Sequence, residues 1–127
     1  YCIRKRRRFV TTIREAYESI GADYDGVVKR LMNDSLVERF AGKFLQDDSF
    51  PRLEAALSAG DGKEAFVAAH TLKGVCQNLG FDNLFGPASE ITEALRGEAD
   101  LNRARELFPQ VKESYEATVA AIKSCVG

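Results

Sequence analysis

Ala69-His70-Thr71-Leu72-Lys73-Gly74-Val75-Cys76-Gln77-Asn78-Leu79-Gly80 holds the only histidine of this 127-residue chain. Wound as a helix at about 100° per residue, the stretch gathers Leu72, Cys76 and Leu79 on one side, with Ala65 preceding them. His70, Lys73 and Gln77 fall on roughly the opposite side, and Gly74 lies beside them. An imidazole is thereby turned toward water, with an ammonium about one turn away and a position without a side chain next to it. That is an unsuitable setting for a core histidine.

The same periodicity continues in both directions. The helix carrying His70 is expected over residues 63–79, capped by Asp61 in the turn Gly60-Asp61-Gly62 and ended by Gly80. Upstream, Thr11 or Thr12 caps a helix through Ile13, Ala16, Tyr17 and Ile20, and Asp23 caps a second with Val27, Val28 and Leu31. The second should end at Asn33, with Ser35 capping a third whose stripe is Leu36, Val37, Phe40, Phe44 and Leu45. Ser49-Phe50-Pro51 reads as a cap and a first-turn proline opening a short helix. Downstream, Asp82 is placed to cap a helix with Leu84, Ala88, Ile91 and Leu95, bent or restarted near Pro87 and stopped by Gly97. A last helix carries Phe108, Val111, Tyr115, Val119 and Ile122, with a shorter piece before a break near Pro109.

No stretch alternates with period two, and no Asn-Gly hairpin signal occurs. The expected fold class is therefore all-α. Helices over 35–48, 63–79, 83–96 and 109–125 should form an antiparallel up-down-up-down four-helix bundle, with the extra N-terminal helices packed on it. Residues 11–127 are expected to be one bundle domain, preceded by a basic tail over residues 1–10.

Charge narrows the choice of partners. The formal net charge is −1, but Arg4, Lys5, Arg6, Arg7 and Arg8 supply five of the 18 basic residues. The remaining thirteen face 19 acidic residues, a balance of −6 for the body, which argues against a nucleic-acid-binding face. The basic tail suits a solvated end, or a stretch that follows a cytoplasmic membrane exit in a longer parent. No apolar run approaches the ~18 residues of a membrane span, so the bundle itself should make no membrane contact and is expected in the cytoplasm. Cys2, Cys76 and Cys125 have no metal-ligand or redox spacing, and Cys76 belongs to the apolar side of its helix as a buried, inert thiol. With one histidine and no paired cysteines, no metal site is expected.

The His70 side has a chemistry of its own. A neutral imidazole offers a nitrogen lone pair at cellular pH, and a nitrogen–phosphorus bond is made and broken readily. Phosphoryl transfer from an acyl phosphate has a loose transition state, so positioning and charge stabilisation carry most of the catalysis. Lys73 can donate to phosphoryl oxygens, Gly74 leaves room for an approaching protein, and Gln77 can hydrogen-bond that protein's backbone. Taken singly, these residues have plainer explanations: a solvated lysine, or a glycine that lets two helices pack closely. Their joint spacing is the informative feature.

His70-Thr71-Leu72-Lys73-Gly74 followed by Leu79-Gly80 resembles the signature of histidine-containing phosphotransfer (HPt) domains. The resemblance implies a four-helix bundle that accepts a phosphoryl group on Nε2 of His70 from a receiver-domain aspartyl phosphate and passes it to a second receiver. It implies roles for Lys73 in steadying the phosphoryl group, for Gly74 in admitting the receiver, and for Gln77 in the docking surface. Phe66, on the His70 side of the helix, is an apolar candidate for that surface, unless it packs beneath an N-terminal helix. Such domains act as phosphocarriers without an ATP site or cofactor of their own, since the receiver brings the magnesium. Several members place a glutamine or glutamate on the next helix, where it holds the other ring nitrogen. The corresponding position here is Thr92, with Ser89 and Glu93 as neighbouring alternatives.

Two other classes compete. The phosphoacceptor and dimerisation domain of a sensor kinase usually has an acidic residue after its histidine and a proline soon afterwards. Here Thr71 follows and the next proline is Pro87. A helical adaptor would use the same face through contacts alone, with no need for His70, Lys73 and Gly74 together. A monomer is expected, since one shallow face serves each receiver in turn.

Overall fold

Seven α-helices make up most of residues 12–98 and 100–126, which the computed structural model describes. They are α1 (Ile13–Ser19), α2 (Tyr24–Leu31), α3 (Asp34–Phe44), α4 (Ser49–Ala59), α5 (Gly62–Leu79), α6 (Asp82–Leu95) and α7 (Leu101–Val126). A single 3-10 turn, Arg96–Glu98, follows α6. The all-α class holds, and no strand occurs among the described residues. The tail expected over residues 1–10, and Thr11, lie outside them.

Local chemistry sets most of the boundaries. Thr12 closes a capping box with Glu15, Asp23 accepts from the Gly26 amide, and Asp61 accepts from the Glu64 amide at the start of α5. Three expected caps move. Asn33 caps α3 by accepting from the Leu36 amide, so Ser35 falls inside the first turn and α2 ends at Leu31, one residue before a left-handed Met32. Asp48 takes the cap position of α4, while the Ser49 hydroxyl turns back to donate to the Asp47 carboxylate. Phe81 occupies the cap position of α6 because its ring is needed in the core, which leaves Asp82 in the first turn beside the helix dipole.

Neither proline ends its helix. α6 runs through Pro87 and α7 through Pro109. Each removes one backbone hydrogen bond, but fully buried residues on both sides hold the helix: Leu84 and Ala88 around the first, Ala104 and Val111 around the second. The piece expected before Pro109 is therefore continuous with the last helix.

α4 packs on α5, α5 on α6 and α6 on α7, each antiparallel to its neighbour across a short connection. The fourth edge of the bundle is shared. α3 stops at Phe44, short of the expected 48, and both α3 and α4 pack against α5 and α7. α1 and α2 cover the end where α3, α5 and α7 meet. One buried cluster runs from Ile13 to Ile122. At its centre Phe81 touches Tyr17 (ring centroids 5.3 Å apart) and Phe44 (5.0 Å), and Tyr115 continues the chain of rings to Phe50 at 4.1 Å.

Candidate functional site

Helix α5 is divided lengthwise by burial. Ala65, Ala68, Ala69, Leu72 and Cys76 have no exposed surface, and Leu79 has little. Small residues on this face let α4 and α6 approach closely, which fixes the roll of the helix about its axis. Burial also pushes the Cys76 thiol up to about 12, so it stays protonated and unreactive. His70 and Gln77 are exposed on the opposite face, and Lys73 is half-buried between His70 and α6.

The C-terminal end of α5 is held from outside. The Tyr17 hydroxyl donates to the Leu79 carbonyl at 2.6 Å, and the Asp23 amide donates to the Gly80 carbonyl at 2.8 Å. Arg30 donates to the carbonyls of Gln77 and Asn78. These bonds satisfy carbonyls that a helix end leaves without partners. Gly80 is required twice over, by its φ of +72° and because a Cβ would stand 2.7 Å from the Asp23 carbonyl oxygen. The Leu79-Gly80 pair thus positions the helix that bears His70, without itself facing solvent.

Gly74 is different. It has helical backbone angles, and a Cβ built there meets nothing within 4 Å. Close helix packing therefore does not explain it; the space beside His70 is open to an incoming molecule. Phe66, one turn before His70, places its ring 5.7 Å from the imidazole at 46°. It lies at the α6 side of the site and not beneath an N-terminal helix, because the Arg96 guanidinium sits 5.4 Å above the same ring.

Thr92 has no exposed surface, and its hydroxyl donates to the Ala88 carbonyl one turn back in α6. The structure shows no hydrogen bond between Thr92 and His70, and the fully buried side chain does not reach the exposed face on which the imidazole lies. The acidic group that faces the site is Glu93. Its carboxylate accepts two bonds from Arg96, from Nε at 3.1 Å and Nη2 at 2.7 Å. Those bonds, joined by the charges of Arg96, Lys73 and His70, hold the Glu93 carboxyl below its ordinary range. Arg96 was not foreseen from sequence. Its signal was the Glu93-to-Arg96 spacing at the end of a helix, a common surface pattern that nothing in the sequence ties to His70.

The other flank of His70 is apolar. Past Gly74 and Asn78, a groove of about 530 Å³ opens between α2, α3 and α5, walled by Leu31, Phe40, Phe44, Val75 and Leu79. Arg30 and Lys43 stand at its rim. Phe40 and the nearby Met32 are exposed by 37% and 82%, large values for such side chains. The imidazole thus has charge on one side, grease on the other and free space in front. No helix among the described residues is long and apolar enough to cross a membrane.

Residues 44–121 match the family model of the Hpt domain, a span that takes in α4, α5, α6 and most of α7. Comparison with curated proteins gives no match, nor does comparison with solved structures.

Proposed function

The chain belongs to the Hpt domain family, whose members carry out histidine phosphotransfer in phosphorelay signalling and interact with receiver domains, and we propose that in this protein His70 is the phosphoryl acceptor. The observation that carries this assignment is the exposure of the only histidine on α5 beside an unfilled Gly74 position. The lone pair on Nε2 attacks the phosphorus of an aspartyl phosphate on a receiver. The Nε2–P bond forms as the acyl P–O bond breaks, and the electron pair leaves with the receiver carboxylate. The reverse step on a second receiver returns the imidazole.

Lys73 supplies a cation to the phosphoryl oxygens from the same helix face. Gly74 leaves the approach clear, and Gln77 together with Phe66 borders the docking surface. The groove past Asn78 extends that surface with apolar area. Magnesium belongs to the receiver. The domain works as a cytoplasmic, monomeric carrier, formed by residues 11–127 behind a basic tail.

Incubation with a phosphorylated receiver tests this directly. Wild type acquires acid-labile, base-stable label, and His70→Gln acquires none. Label in the variant at the wild-type level would remove His70 from the mechanism and leave an adaptor that binds through contacts alone.

A further inference from the structure

The phosphoryl group brings about two negative charges to Nε2, and α5 offers it one nearby cation, Lys73. A second cation reaches the site from the end of α6. Arg96 is the residue at which α6 ends, and its side chain lies over Phe66, whose other neighbour is the His70 ring. It is occupied by Glu93 through two hydrogen bonds. Both partners of this pair are more than half exposed, with side-chain exposures of 54% and 57%. Exposed pairs of this kind are weak and exchange partners readily.

We infer that Arg96 is a second phosphoryl-binding residue held in reserve by Glu93, and that phosphorylation of His70 draws its guanidinium from that carboxylate to the phosphoryl oxygens. The inference rests on His70 being the acceptor. A phosphoryl dianion presents three oxygens to a planar donor fork and binds it more strongly than one solvated carboxylate does. The same dianion repels Glu93, which already lies within the field of Lys73 and His70. Both effects push the exchange in one direction. Glu93 is thus a positioning residue: it parks Arg96 near the imidazole and keeps it from closing over the nucleophile before transfer. With Lys73 and Arg96 both at hand, the phosphorylated form is neutralised by two cations and loses its group to water more slowly.

Phosphoramidate serves as donor for the test, because it needs no receiver. Its N–P bond breaks and ammonia leaves as the Nε2–P bond forms. After donor removal, the lifetime of phosphorylated His70 is measured, together with the nitrogen-15 shift of Arg96 Nε before and after labelling. Expected are a moved Arg96 signal, a lifetime shortened on the order of tenfold in Arg96→Gln, partial recovery in Arg96→Lys, and a lengthened lifetime in Glu93→Gln. Labelling with wild-type lifetimes in all three variants and an unmoved Arg96 signal overturns the inference alone. Absence of any label on wild type overturns the acceptor assignment, and the inference with it.

Discussion

The two faces of α5 are made of the same eighteen residues but obey different rules. The inner face is filled: Ala68, Ala69, Leu72 and Cys76 have no exposed surface, and each is constrained by volume. The outer face is sparse, with a solitary imidazole, a half-buried ammonium and an open position at Gly74. Substitutions inside should therefore be read in stability and substitutions outside in transfer. A residue that moved both quantities together would show that the faces are coupled.

The largest expected separation is between His70→Gln and Leu72→Ala, two positions two residues apart. The first abolishes label from a phosphorylated receiver and, as an exposed change, alters unfolding free energy by no more than about 0.5 kcal/mol. The second removes a fully buried side chain and costs about 2–5 kcal/mol, measured by urea denaturation. Its folded fraction should still take up label. Loss of transfer by folded Leu72→Ala would mean that the site depends on fine packing of the inner face.

A smaller effect tests how the helix is anchored. Tyr17 lies outside the matched span of residues 44–121, yet its hydroxyl donates to Leu79 at the end of α5. Tyr17→Phe keeps the ring contacts with Tyr24 and Phe81 but leaves that carbonyl without its partner. It should cost about 1–3 kcal/mol in the same denaturation experiment. A change within error would mean that the remaining bonds from Asp23 and Arg30 hold the helix end on their own.

The inner face was legible from sequence because burial imposes a period, and Ala65, Leu72, Cys76 and Leu79 repeat with it. The caps at Thr12, Asp23 and Asp61 were legible because their side chains act on amides three residues away. Some misplacements are local, as where the Asn33 side chain took the cap expected of Ser35. Others reflect tertiary packing over local preference, as where Phe81 displaced Asp82 as the cap and the cores around Pro87 and Pro109 kept those helices continuous. On the outer face, His70, Lys73 and Gly74 could be grouped because they share a helix. Glu93 and Arg96 reach the site across a helix interface, and the groove is built from three separate helices. Spacing along a chain does not report such meetings. Counting along the chain placed Thr92 at the corresponding position but did not report that its side chain is buried and its hydroxyl donates to Ala88.

Gly74 gives the smallest effect on the fold and the sharpest test of the comparison. A glycine in mid-helix costs up to about 1 kcal/mol relative to alanine, and here a Cβ would meet nothing. Gly74→Ala should therefore stabilise the chain by about 0.4–1 kcal/mol. Gly74→Gln should leave the fold intact as well, and it should still accept label from phosphoramidate, a donor small enough to pass the new side chain. Transfer from a phosphorylated receiver should slow, because the space that is empty in the isolated chain is the space a docked receiver fills. Stability and receiver transfer then move in opposite directions at one position, which requires that the glycine be kept for the partner and not for the fold. Equal loss with both donors would place the damage on His70 itself, and unchanged receiver transfer would show that the receiver docks elsewhere.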